Sequence, residues 1–269
     1  MNIEETYKLV SSLLELEREP VGIKFIFNKD EYDIFDAEET ENKYSYCAFV
    51  KKAGDGMKLK IHKGHNACFG GATALGFEEI LPETISGVRR LKGKSYRDLG
   101  VSRKISKNMV YCAHKIYGAG IMPLKEYKEE PDVVIIVCKP YQAMRLSHGY
   151  AYHFGHVKDI KLAGMQAICE ECTSYPYENG CFNISMMCSG TRMLAGWKED
   201  EMGVGMPYRI FLNVVDGLIN TVNPLERNKQ KRIIKEKLNK NNLNQYLEIR
   251  MNENYDKGLY HGGKAEINN

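Results

Sequence analysis

The run Val133-Val134-Ile135-Ile136-Val137 constrains the fold more than any other feature. Five consecutive β-branched residues have no polar face to offer water, so the strand they form must be covered on both sides. Pro140 follows where the first turn of a helix tolerates proline, and the spacing predicts a helix over about 141–152. A doubly covered strand passing directly into a helix implies a layered α/β architecture, with α+β as the variant.

The other elements fit that frame. Leu9, Val10, Leu13 and Leu14 recur at helical spacing within 3–16, and Pro20 ends the pattern. Val21 to Phe27 reads as a second buried strand, 28–42 as acidic surface helix or loop, and 44–52 as a helix stopped by Gly54-Asp55-Gly56. Met57, Leu59 and Ile61 alternate with Lys58, Lys60 and His62, the period-two mark of a half-exposed strand. Phe182 to Met187 repeats the strand signal. A long helix is expected over 208–222, with Ile210, Phe211, Val214, Val215 and Leu218 on its apolar side and Pro224 beyond it. From Arg227 to Lys240 seven Lys or Arg face one acid, Glu236. That pattern predicts a solvated basic helix, an anionic partner being the other reading, and the end from Gly258 to Asn269 is expected to fray. The expected organisation is one domain over 1–222 and a basic helix and tail over 223–269.

Apolar residues make up 43% of the chain and charged ones 27%, with a net charge of +3. This composition is globular, and the near balance of charge gives no reason to expect a nucleic-acid or membrane partner. Nothing approaches the ~20 apolar residues of a membrane span, and Met1 to Glu5 carry two acids where a secretory signal would be apolar. A cytoplasmic location is expected. Eight cysteines in a reducing compartment are buried apolar side chains, nucleophiles or metal ligands rather than structural disulfides.

Their positions echo one another. Cys68-Phe69-Gly70 precedes Gly76-Phe77, and Cys188-Ser189-Gly190 precedes Gly196-Trp197, both reading Cys-x-Gly-x5-Gly-aromatic. Cys47 and Cys172 each lie ten residues before a predicted strand start, Met57 and Phe182. Gly118-Ala119-Gly120-Ile121-Met122-Pro123 is matched by Gly203-Val204-Gly205-Met206-Pro207; these segments lack the context of a dinucleotide loop and read as tight packing or turns. The echo suggests two similar halves, about 20–125 and 130–222, related by a pseudo-twofold internal duplication.

The densest cysteine constellation is Cys169-x2-Cys172-x8-Cys181-x6-Cys188. Cys-x2-Cys places two soft ligands at one turn, and two more complete the four-thiolate shell of zinc or an iron–sulfur cluster. Core packing is the other reading, above all for Cys181 and Cys188. A Cys–His nucleophile is open at Cys68 with His65 and at Cys112 with His114. His148, His153 and His156 lie near the end of a helix as hydrogen-bonded groups before ligands. Tyr150, Tyr152, Tyr175, Tyr177 and Trp197 line a pocket or, more simply, fill the seam between the halves.

Pro20-Val21-Gly22-Ile23-Lys24-Phe25, the Cys68 corner with Ala74-Leu75-Gly76-Phe77, Cys138-Lys139-Pro140, Gln142-Ala143-Met144-Arg145-Leu146 and the stretch from Gly164-Met165-Gln166-Ala167 to Cys188-Ser189-Gly190-Thr191-Arg192 resemble the family catalogued as domain of unknown function 169. The resemblance spans roughly 4–222. It implies kinship with mainly anaerobic bacterial and archaeal proteins without an established activity, a setting compatible with an oxygen-sensitive cluster, and it supplies no catalytic residue.

The leading expectation is therefore a thiolate-ligated metal centre, an iron–sulfur cluster with zinc as the alternative. Its expected ligands are Cys47, Cys68, Cys172 and Cys188, with Cys169 as the substitute for Cys172, and Gly70, Gly71 and Gly190 line the cofactor cleft. A metal-free enzyme using Cys68 or Cys188 and a non-catalytic binding module with core cysteines are the alternatives. A small-molecule or redox partner and a homo-oligomer remain open.

Overall fold

The computed structural model describes residues 1–113, 115–222 and 227–246. Its strands are β1 (Val21–Ile26), β2 (Leu59–His62), β3 (Gly118–Pro123), β4 (Val133–Cys138), β5 (Asn183–Ser185) and β6 (Met202–Pro207). The helices are α1 (Ile3–Leu14), α2 (Lys29–Ile34), α3 (Tyr46–Gly54), α4 (Phe69–Ala74), α5 (Pro82–Ile85), α6 (Val88–Lys92), α7 (Leu99–Asn108), α8 (Pro140–Phe154), α9 (Tyr175–Asn179), α10 (Ser189–Met193), α11 (Tyr208–Asn220) and α12 (Arg227–Lys240). A π-helix, Ala167–Ser174, precedes α9.

The strands form one sheet in the order β2-β3-β1-β4-β6-β5, with every neighbouring pair antiparallel. At its centre Val21 pairs with Ile135 and Ile23 with Val133. Outward from this seam the order is β1-β3-β2 on one side and β4-β6-β5 on the other.

The aliphatic run does what its composition requires. Val134 and Ile136 enter a core with Leu9 and Leu13 of α1, Leu146 of α8 and Phe211, Val214 and Leu218 of α11. Val133, Ile135 and Val137 enter a second core on the opposite face, with Phe49 and Val50 of α3, Ala72 of α4, Ile168 and Trp197. Alternate residues of one strand thus serve two hydrophobic layers, and the architecture is the expected mixture of helices and sheet. Among the described residues no helix is long and apolar enough to cross a membrane.

Three local expectations need correction. The Gly-rich segments 118–123 and 203–207 are fully formed strands, tightly packed as expected but not turns. Lys60 on β2 is only 8% exposed, because its ammonium caps the carbonyls of Tyr32 (2.8 Å), Asp33 (3.2 Å) and Phe35 (3.2 Å) at the end of α2. The basic helix is solvated on one face only: Ile234 and Leu238 of α12, with Leu243 beyond it, join the α1 core, and Lys237 pairs with Glu15 at 2.8 Å. The end from Gly258 to Asn269 lies outside the described residues.

Candidate metal centre

Four cysteines occupy comparable backbone positions. Cys68 and Cys188 are the residues from which α4 and α10 start, Cys47 is the second residue of α3, and Cys169 is the third of the π-helix. Each sulfur therefore lies at a first turn, where amide N–H groups have no intrahelical partner. The glycine-rich corners explain two of these positions, since the chain must leave a strand and enter a helix within a few residues.

Cys169 and Cys47 each feel the charge of the other sulfurs. Burial pushes the Cys169 thiol well up, and negative charge on Cys68, Cys47 or Cys188 pushes it further. Cys47 is raised by burial, then by charge on Cys188 and Cys68, against the lowering effect of the Ser45 and Thr191 hydroxyls. Thr191 links two of the sulfurs: its Oγ1 is 3.1 Å from Cys188 Sγ, its amide donates to the same sulfur at 3.5 Å, and its hydroxyl also acts on Cys47. Trp197 closes the floor, its indole N–H donating to the Cys47 carbonyl at 3.2 Å. Cys169 is buried, while Cys47, Cys68 and Cys188 are half-buried, so the group reaches the surface. No three of the sulfurs lie within 4.8 Å of one another.

Cys172 is not in this group. It is fully buried in the second core, packed against Gly203 of β6, and its thiol is pushed up first by burial and then by charge on Glu171 and Cys138. Cys169, the expected substitute, is the one of the two that lies within electrostatic reach of Cys47, Cys68 and Cys188. Gly70 and Gly71 do not line an open cleft either: Gln166 Nε2 donates to the Gly70 carbonyl at 2.9 Å, and Tyr46 and Asn66 pack on Gly71. Gly190 does border free space, with Cys188 Sγ the nearest atom to its missing side chain. Cys112, Cys138 and Cys181 sit apart as packing thiols, and burial pushes Cys138 up to about 12.

The histidines serve other ends. His153 Nε2 lies 2.8 Å from Asp216. His114 is outside the described residues. Glu39, His62 and His65 bring three donor atoms within 4.8 Å, the one such group among the described residues. The ring nitrogens argue against a metal there. His62 Nδ1 accepts the Gly64 amide at 2.9 Å and His65 Nδ1 accepts the His62 amide at 3.2 Å. Neutral rings held this way carry their protons on Nε2 and offer N–H groups, whereas a ligating imidazole needs that lone pair free. The same bonds direct His65 toward His62 and Glu39, not into a dyad with Cys68.

Residues that the sequence did not single out brace the π-helix that carries Cys169. The π-helix buries Glu170 (3% exposed) and Glu171 (0%). Glu171 accepts from the Ala163 amide (2.7 Å) and the Ser185 hydroxyl (2.5 Å). Burial pushes Glu170 up to about 7 against a single lowering amide bond from Val110. Gln166, at φ 55°, starts the π-helix and is held by the buried Arg90, which also donates to Ser106 at 2.7 Å. Only the adjacent acidic pair beside Cys169 gave a hint of this in the sequence, because a π-helix leaves no periodic signature of its own.

The comparisons with known proteins agree with the resemblance. The uncharacterized protein MJ0308 of Methanocaldococcus jannaschii is 26% identical over 222 residues, covering 80% of this chain and 93% of that protein. No solved structure matches. The family profile described as uncharacterised ArCR matches residues 10–217, from α1 through most of α11, and the chain belongs to that family, domain of unknown function 169.

Proposed function

We propose that the chain binds an iron–sulfur cluster through the thiolates of Cys47, Cys68, Cys169 and Cys188 and exchanges electrons there with a small molecule or a redox partner. The observation that carries this reading is that thiols from four separate segments lie within electrostatic reach of one another, Cys169 of the other three and Cys47 of Cys68 and Cys188. Gathering thiols is unfavourable once any of them ionises, and a bound cation reverses the sign of that interaction. At Cys188 an amide N–H of the first turn, that of Thr191, already points at the sulfur at 3.5 Å and favours negative charge there. The spacing favours a cluster over a single zinc ion: Zn–S bonds of about 2.3 Å hold all four tetrahedral sulfurs about 3.8 Å apart, whereas no three of these lie within 4.8 Å of one another. A cluster interposes several irons and sulfides between its cysteines. All eight cysteines are free thiols, which fits a reducing, cytoplasmic setting. The same reading takes the two halves as products of an internal duplication, supported by the strand order on either side of the β1/β4 seam and by the matched corners.

Anaerobic purification followed by iron and sulfide analysis tests the proposal. Stoichiometric iron and sulfide are expected, lost in Cys169→Ala and Cys188→Ala and retained in Cys172→Ala. A colourless, iron-free protein after reconstitution overturns the reading. Retention of full iron by Cys169→Ala removes that ligand.

A further inference from the structure

A cavity of about 430 Å³ opens between α7 and the segment 159–163, lined among others by Ile105, Asn108, Met109, Leu162 and Glu170. Its size is that of a small-molecule site. The walls are held in place by hydrogen bonds. Tyr175 donates to the Asp159 carbonyl at 2.6 Å, Asn183 bonds both backbone groups of Lys161 at 3.0 and 2.9 Å, and Glu171 accepts the Ala163 amide at 2.7 Å.

Glu170 is the buried charge of this cavity. Its Oε1 accepts the Val110 amide at 3.2 Å, a modest bond for a carboxylate 3% exposed. Two cations act on it: Lys161, which also lines the cavity, directs its ammonium to the Asn108 carbonyl at 2.7 Å, and the Arg90 guanidinium donates to Ser106 and Gln166. A carboxylate removed from water needs charge-assisted partners, and one amide is a small fraction of what it can accept. Asp159 adds a second negative group to the lining, while Ile105, Met109, Ile160 and Leu162 offer hydrocarbon.

We propose that this cavity binds a small organic cation, its ammonium group on Glu170 and its hydrocarbon body against Ile105, Met109 and Leu162. The site uses a different residue of the π-helix from the sulfur centre, although the Glu170 charge also acts on Cys169. Cys169 faces the other thiols, whereas Glu170, the next residue, faces the cavity.

Butylammonium, butyrate and butanol are the probes, titrated into the full chain at about pH 8, where an alkylamine is protonated. Butylammonium should saturate one site with a Kd of the order of 1 mM, at least about tenfold tighter than butanol, and butyrate should not saturate. Glu170→Gln should weaken butylammonium binding about tenfold or more. Leu162 is half-exposed, so Leu162→Lys should fold and, by placing a cation in the mouth, produce the same loss even where Glu170→Gln does not fold. Absence of saturation by butylammonium, binding of butanol or butyrate as tight as that of the cation, or undiminished binding in Leu162→Lys overturns the proposal.

Discussion

The two cysteine corners use the same backbone device in different surroundings. After Cys68 the chain runs through α4 to α7 before returning as β3, and that excursion encloses its own corner: Arg90 of α6 holds Gln166, which holds the Gly70 carbonyl. After Cys188 the chain makes only α10 before β6, and Met193 and Leu194 beyond the corner are 83% and 82% exposed. One corner is therefore built into the protein and the other stands at its surface. A shared motif fixes where a sulfur leaves the backbone, and the length of chain that follows decides what covers it.

The paired Gly-rich strands differ in the same way. In β3 the missing side chain of Gly120 is replaced by the Phe35 ring, whereas in β6 that of Gly205 is replaced by the backbone of Cys172. A ring can rotate away from a new methyl group, but a π-helix pinned by Glu170 and Glu171 cannot. Gly205→Ala should therefore cost about 3 kcal/mol or more, and Gly120→Ala about 1–2 kcal/mol, read as shifts in the urea unfolding midpoint. Equal losses would show that both glycines meet equally rigid neighbours.

Buried charge sharpens the contrast. Lys60 on β2 has three carbonyl partners, while Glu170 of the π-helix accepts one amide. The Glu170 carboxyl rises from 4.5 to about 7, so between those values the folded chain holds more proton than the unfolded one. Its stabilising contribution is present below pH 4.5 and is lost as pH rises through about 7. At roughly 1.4 kcal/mol per pH unit the loss is about 3.5 kcal/mol as an upper bound. Glu170→Gln removes it, so the variant should gain stability relative to the parent between pH 5 and pH 8, measured by urea unfolding of metal-free protein. A pH-independent difference would show that the carboxyl is well partnered after all.

Much of the fold was legible because burial leaves a mark on composition. The aliphatic run of β4 and the apolar stripes of α1 and α11 announce themselves. Strands β3 and β6 did not, since Gly118, Gly120, Gly203 and Gly205 depress strand propensity for a reason that lies elsewhere in the chain, in the groups that occupy the vacated space. The choice between Cys169 and Cys172 failed on helix geometry. Three residues turn about 300° around an α-helix, keeping both thiols near one face, but about 245° around a π-helix. The wider turn sends Cys172 to β6 and Cys169 to the other sulfurs. No local pattern reports that choice, because tertiary contacts to Gln166, Glu170 and Glu171 hold the π-helix in place.

The smallest effect belongs to the exposed corner and bears most directly on its difference from the enclosed one. An alanine methyl at position 190 would find only Cys188 Sγ, 3.9 Å away, an ordinary van der Waals contact. At position 71 it would press on Tyr46 Cβ at 3.3 Å and on Asn66, inside the enclosed corner. Gly190→Ala should therefore change stability by less than about 0.5 kcal/mol and, if the proposed cluster is bound, leave iron content intact. Gly71→Ala should displace α4 against α3 and lower iron content, because Cys47 and Cys68 lie on those two helices. If Gly190→Ala removed the iron while stability stayed constant, the open space beside Cys188 would belong to the bound cluster itself rather than to solvent.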